Sequence, residues 1–128
     1  KAAMVMIPVS TNSLPISAMR RIFSTRSSAE TNEVFVIVAS RSHLSAETEE
    51  YIKEKRKIYP HVELVSVGSS IKICRVCEGL ADEYPRFAPT MEWDTAAGHA
   101  IAKASGAEIY QAGQKEPLKY NKPDRSEE

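Results

Sequence analysis

The most regular apolar pattern in the chain is VFVIVAS, residues 34–40, where β-branched and aromatic side chains follow one another without a polar break. A run of this kind marks a strand buried on both faces of a sheet that helices cover. A shorter apolar run over residues 2–9 predicts an earlier strand, and VELVSV at 62–67 predicts a later one. Between them AETEEYIKEKRKIY reads as a helix: Ser45 is placed to cap it, Glu47, Glu49 and Glu50 load its first turns, basic residues load its end, and Pro60 stops it. GSS at 68–70 is a turn whose serines can cap a second helix, SIKICRVCEG, in which Ile71, Cys74 and Cys77 recur at helical spacing and Gly79 supplies the ending. ADEYPRF predicts a short strand, and Pro85 inside it points to an edge or an end of the sheet. A third helix is expected from Asp94 through an alanine-rich stretch to Gly106, its small residues allowing close packing against the sheet. AEIYQAGQKEPLKYN then predicts a hairpin turning near Gly113. Residues 10–32, rich in Ser, Thr and Arg, read as a connecting segment, and NKPDRSEE as a charged tail. Strands that alternate with helices imply an α/β sandwich around a mixed sheet.

Length and charge narrow the possibilities. At 128 residues the chain is expected to form one domain, residues 1–128. Seventeen basic residues balance seventeen acidic ones, so no global field draws it to nucleic acid or to an anionic membrane. Its longest apolar runs fall far short of the roughly twenty residues that span a bilayer. The opening AAMVMIPV is short and broken by Pro8, which suits a strand better than a signal peptide, and the missing initiator Met leads to the expectation that the chain belongs to something longer. Cys74 and Cys77 have C-x-x-C spacing, but three scattered histidines do not supply a second zinc-binding pair, and the cysteines sit within an apolar run. Two buried, reduced thiols of a cytoplasmic protein are expected.

Four short stretches can carry chemistry. ASRSHLS lies at the carboxyl end of the buried strand, just before a helix, where open α/β sheets bind anionic ligands; Ser42 and His43 then face a ligand, or Ser42 and Ser45 cap while His43 is solvated. GSSIK repeats the arrangement without the spacing of a Walker loop, and Ser69, Ser70 and Lys72 suit either a phosphate or a plain cap with a surface lysine. YPRF sets Tyr84 and Arg86 on one face of a strand, as a base-stacking and phosphate-gripping pair or an ordinary surface pair. Asp94 is an N-cap, or a ligand to a hard cation such as magnesium.

The stretch GSSIKICRVCEGLADEYPRFAPTMEWDTAAGHAIAKASGAEIYQAG resembles the carboxyl-terminal half of the CysQ-type 3'(2'),5'-bisphosphate nucleotidases of the inositol monophosphatase superfamily. WDTAAGHAI matches that superfamily's second signature, and VASRSH, GSS-x-K, YPRF and EPLKYNK occur in the same order as in the CysQ branch. The resemblance implies an inositol monophosphatase-like αβαβα fold of which this chain is the substrate-side half. It implies that Asp94 helps to hold a catalytic Mg2+, and that Ser42, His43, Ser69, Lys72, Tyr84 and Arg86, with Asp94, surround a nucleotide bisphosphate. The implied reaction hydrolyses adenosine 3',5'-bisphosphate to AMP and phosphate in sulfur assimilation. The superfamily's acidic D-P-x-D-G-T element and its upstream glutamates are not found in these 128 residues. SAETNE and ETEE lack the spacing, so no catalytic residue lies within this half, and the chain alone is expected to be inactive. The alternatives are a non-catalytic adenosine-phosphate-binding module and a parent that acts on inositol phosphates. Cut sheet edges would expose the chain to self-association.

Overall fold

The computed structural model describes residues 4–8, 34–40 and 44–123, with the backbone alone for 4–8. The connecting segment 10–32 and the charged tail beyond residue 123 lie outside the described residues. The element order is β1 (Met4–Pro8), β2 (Val34–Ala39), α1 (Ala46–Ile58), β3 (His61–Ser66), α2 (Ile71–Cys77), β4 (Tyr84–Arg86), α3 (Glu92–Ala104) and β5 (Ala107–Gln111). β2 and β3 pair in parallel from Val34 opposite His61 to Ala39 opposite Ser66. β1 lies antiparallel between β4 and β5, with Val5 opposite Pro85 and Tyr110. A parallel bridge between Ile37 and Glu83 links the pair β2-β3 to the three-stranded sheet β4-β1-β5. The mixed sheet expected from the alternation of elements is therefore present.

β2 shows why a continuous apolar run is needed. Side chains alternate across a strand, so Phe35 and Ile37 point to one face and Val36 and Val38 to the other. Phe35 and Ile37 pack with Ile52 of α1, and Tyr59 stacks on Phe35 with ring centroids 4.0 Å apart. Val38 joins Ile73 and Val76 of α2, Ala102 of α3, Tyr84 and Ile109 in the larger core on the opposite face. Both faces are covered, and neither tolerates a polar residue.

α1 obeys its end signals. The Ser45 hydroxyl accepts from the Thr48 N–H at 3.2 Å, Glu47 and Glu49 occupy the first turn, and the helix ends at Ile58, with the extended cap residue Tyr59 between it and Pro60. A buried polar link then ties α1 to the sheet: Glu83 accepts from the Tyr51 hydroxyl at 2.6 Å and from Lys55 Nζ at 2.7 Å. Its neighbour Asp82 accepts the Val36 N–H at 2.8 Å. Burial first, and then the Glu83 carboxylate, push the Tyr51 phenol well above its ordinary range, so it stays a hydrogen-bond donor.

Pro85 does stand in a terminal strand, since β4 ends the sheet β4-β1-β5 and only the bridge at Glu83, just before it, reaches β2. Glu83 exchanges backbone hydrogen bonds with β2, through Glu83 N–H to Val36 O and Val38 N–H to Glu83 O. Two residues on, Pro85 would present the next donor to β2 and has none, so the parallel ladder ends there while the alternate backbone groups serve β1. Three other expectations are corrected. α3 begins at Glu92, not at Asp94, because the extended residue Met91 takes the cap position. In the second helix Ser70 makes no side-chain cap bond. Cys74 and Cys77 are free but only half-buried, and burial raises the Cys77 thiol.

The small residues of α3 also act differently from expectation. Gly98 meets α2 rather than the sheet: a Cβ built on it would fall 2.6 Å from Ile73 Cδ1 and 3.2 Å from Ile73 Cγ2. Gly98→Val is expected to force this helix pair apart at a cost of about 1–3 kcal/mol, read as a lowered midpoint in urea unfolding. Trimming Ile73 to Val in the same chain should return part of that loss.

Candidate functional site

The loop before α2, strand β4 and the start of α3 converge on a cavity of about 310 Å³ lined by Ser69, Ser70, Ile73, Tyr84, Arg86, Thr90, Trp93, Asp94 and Thr95. The fold thus brings together five residues singled out from sequence, Ser69, Ser70, Tyr84, Arg86 and Asp94. Ser69 reaches it with a left-handed backbone, φ 55°, uncommon for a residue with a Cβ. Tyr84 is buried, 4% exposed, and its ring belongs to the core beneath the cavity. Burial raises its phenol, and the adjacent Arg86 pulls it back only in part. The Arg86 guanidinium donates from Nε to Ala88 O at 3.4 Å and from Nη2 to Pro89 O at 3.2 Å. Neutral carbonyls are its partners there, which leaves its charge uncompensated by them.

Lys72 is not a surface lysine and does not line the cavity. It is 3% exposed, its Nζ donates to Val67 O at 3.3 Å, and it lies 5.4 Å from the centroid of the Tyr84 ring. Burial and then the Arg86 charge lower its ammonium below the ordinary lysine range. It supports Tyr84 from behind. Ser42 and His43 lie outside the described residues.

Asp94 stands on the first turn of α3. Its Oδ2 accepts from the Thr90 hydroxyl at 3.2 Å and from the Met91 N–H at 3.4 Å, the acidic half of a capping box. The side chain remains exposed at the cavity. The cap and ligand readings are therefore compatible in geometry, since one oxygen takes both bonds. Among the described residues no three of His, Cys, Asp and Glu gather as a metal site, and Asp94 is the one carboxylate among the residues that line the cavity. One carboxylate is too few for a hard divalent cation, which takes about six oxygens and relies on more protein charge or on substrate. This donor set by itself does not fit a resident metal.

Thr90, Trp93 and Thr95 were not picked out from sequence. Thr90 precedes Asp94 by one helical turn, and that spacing was the available signal. Thr95 donates to Glu92 O at 3.2 Å, and Trp93 lies 67% exposed at the rim.

α3 is fixed from its buried side by polar contacts. His99 Nε2 bonds the Glu108 carboxylate, and Nδ1 lies 2.7 Å from the Tyr120 hydroxyl. Glu92 accepts the backbone N–H groups of Asn121 and Lys122, both at 3.0 Å. The returning arm after Gly113, φ 76°, is held by these bonds, by the Tyr110–Pro117 bridge and by Leu118 N–H to Ile109 O at 3.0 Å. The expected hairpin forms, although its second arm pairs only at a single bridge.

Burial raises the Glu108 carboxyl, but the His99 hydrogen bond, the Ile109 N–H and the charges of His99 and Lys103 outweigh it and hold it below the ordinary range. For a lowered acid, the stabilisation is complete above its unfolded value and is lost as pH falls through the folded value. Thermal midpoints should therefore drop on acidification below the ordinary carboxylate range, and Glu108→Gln should make that acid limb shallower while lowering the neutral-pH midpoint. An acid limb of unchanged slope in the variant would contradict this.

Comparison with known proteins gives a consistent result. The 3'(2'),5'-bisphosphate nucleotidase CysQ of Escherichia coli (strain K12) is 49% identical over 85 residues, 66% of this chain and 32% of that protein. The protein of the same name from Buchnera aphidicola is 44% identical over 77 residues, 60% of this chain and 28% of that one. The chain therefore spans about a third of the length of these curated relatives. The crystal structure of CysQ from Bacteroides thetaiotaomicron, a bacterial member of the inositol monophosphatase family, superposes with a TM-score of 0.71 and 65% identity, covering 77% of this chain and 36% of that one. The model of the inositol monophosphatase family matches residues 6–125, nearly the whole sequence, and the chain belongs to that family.

Proposed function

We propose that the chain is the substrate-side half of a phosphatase that hydrolyses adenosine 3',5'-bisphosphate to AMP and phosphate, and that the chain alone does not turn over. The observation that carries this reading is the convergence of Ser69, Tyr84, Arg86 and Asp94 on one cavity from three separate segments. Arg86 is suited to grip a phosphoryl group, since its planar fork can present two N–H donors to two oxygens. Ser69 offers a hydroxyl beside it, and Tyr84 an aromatic wall stiffened by Lys72. The similarity to enzymes named 3'(2'),5'-bisphosphate nucleotidase supports a bisphosphorylated nucleotide as the ligand. In the complete enzyme magnesium would supply Lewis-acid charge near Asp94. The cavity's single carboxylate does not suffice to hold it.

A non-catalytic adenosine-phosphate binder is the second reading, favoured by the same solitary carboxylate. Cytoplasmic location and a role in sulfur assimilation belong to the first proposal; no helix among the described residues is long and apolar enough to cross a membrane. Self-association through a sheet edge is proposed at β3, which pairs only with β2 among the described residues.

Calorimetric titration with adenosine 3',5'-bisphosphate and with inositol 1-phosphate, with and without magnesium, together with phosphate release, separates the readings. Binding of the nucleotide in preference to the inositol ester, without phosphate release, is the expected result. Turnover by the chain alone overturns the half-site reading. Equal affinity for inositol 1-phosphate overturns the nucleotide assignment, and tight magnesium-independent binding favours the binder.

A further inference from the structure

Cys74 and Cys77 are the two cysteines of the chain, both free, and neither lines the cavity. They stand one turn apart on α2 (Ile71–Cys77), so their side chains leave the helix on the same side. The Glu78 N–H donates to Cys74 O at 2.8 Å, which closes a regular turn around the pair. Cys77 packs against the larger core, lies close enough to Cys74 for the charge of one to act on the other, and has the Ser105 hydroxyl at its sulfur. Both residues are only half-buried, so a small reagent can reach them.

This placement disfavours the two usual uses of C-x-x-C. One turn of α-helix holds Cβ atoms roughly 5–6 Å apart, whereas a disulfide wants them at about 3.5–4.5 Å, so closing one would unwind the end of α2. Burial also raises the Cys77 thiol, which keeps it protonated and slow in thiol–disulfide exchange. Zinc asks for four ligands, and among the described residues no third His, Cys, Asp or Glu joins the pair. We propose that Cys74 and Cys77 form a binding site for a soft monovalent cation of the copper(I) class, held between two thiolate sulfurs. A bridging ion puts two metal–sulfur bonds of roughly 2.3 Å each in place of one S–S bond of about 2.05 Å, and so spans the helical spacing without unwinding it. Thiolates are soft ligands that select Cu(I), and two of them in line satisfy that ion. On binding, two S–H bonds break, two Cu–S bonds form and two protons pass to the buffer; no electron moves, and the centre carries a single negative charge. The Ser105 hydroxyl, which donates to Ala102 O at 2.8 Å, can turn toward that charge. The site is independent of which phosphate ester the cavity binds.

The test is an anaerobic titration of the reduced chain with Cu(I) against a chromophoric Cu(I) chelator, following the thiolate-to-copper band in the ultraviolet. One equivalent per chain is expected, together with a raised thermal midpoint. Cys74→Ser and Cys77→Ser should each weaken binding at least about a hundredfold, because the second thiolate acts at high effective concentration. Circular dichroism reports whether each variant folds, and either one that does decides the outcome. Zn(II), short of ligands at this pair, should bind at least about a hundredfold more weakly than Cu(I). A folded single variant that binds Cu(I) as tightly as the parent overturns the proposal, as does equal affinity for Zn(II). Half an equivalent per chain overturns it too, since the ion is then shared between two copies. Ready closure of a Cys74–Cys77 disulfide by oxidised glutathione at neutral pH, read as a mass loss of two hydrogens, assigns the pair to redox exchange and likewise overturns it.

Discussion

Glu83→Ala is expected to destabilise the chain by about 3 kcal/mol, measured by urea unfolding. The carboxylate accepts from Tyr51 and Lys55 at once, and its side chain is 9% exposed against 20% for Lys55. Removing it leaves an ammonium largely withdrawn from water and a phenol without its acceptor, and the desolvation of both is then uncompensated. Lys55 retains some solvent, which keeps the loss at the lower end of the range for a broken buried pair. Lys55→Met should cost less than Glu83→Ala, because it removes the charged end while Tyr51 still donates. In a double-mutant cycle, Glu83→Ala with Lys55→Met should recover part of the loss. A Glu83→Ala effect below about 1 kcal/mol, the level of a surface pair, would show that the link is no more than surface decoration.

Arg86→Ala should weaken binding of adenosine 3',5'-bisphosphate tenfold to a hundredfold, on the order of 1.5–3 kcal/mol for a lost charge-assisted contact. The guanidinium lines the cavity with neutral groups, the Ala88 and Pro89 carbonyls and the Tyr84 phenol, as hydrogen-bond partners among the described residues, so an arriving phosphate meets a cation that those groups have not neutralised. Arg86→Lys should recover part of the affinity, since a point charge keeps the attraction and loses the fork. Lys72→Met is the informative comparison. Lys72 touches Val67 O and the Tyr84 ring, not the cavity, so its loss should act mainly on stability. Calorimetric affinities read beside thermal midpoints distinguish the two. If Arg86→Ala left affinity unchanged, the proposed phosphate grip would be wrong.

Much of the fold could be read from residue order, and the reasons differ by element. VFVIVAS identified a strand covered on both faces because each face of β2 has its own helix layer. The end signals of α1 were local, a serine, acidic first turn and proline, and local signals survive tertiary packing. Pro85 was informative for a physical reason: it stands in the terminal strand of the sheet β4-β1-β5, beyond the bridge to β2 at Glu83, where no ladder calls for the donor it lacks. Gly98 was legible as small but not as to its neighbour, since only the three-dimensional arrangement puts Ile73 against it. In the site, WDTAAGHAI and YPRF signalled Asp94, Tyr84 and Arg86 through resemblance to a family rather than through spacing. Lys72 looked like a phosphate ligand because GSSIK shows only that a cation lies near a helix start; which way its side chain turns depends on the room beneath Tyr84.

The place of β1 has a consequence for the order of events during synthesis. Among the described elements β1 is made before the others, yet its partners β4 and β5 come only after β2, α1, β3 and α2, and they are joined only through it. The parallel pair β2 and β3, with α1 between them, can form while the remainder is still being made. β1 must wait with both of its edges open until nearly all of the described chain has emerged. Such a strand is a natural ligand for holding chaperones, and the antiparallel half of the sheet closes around it as a late, nearly simultaneous step.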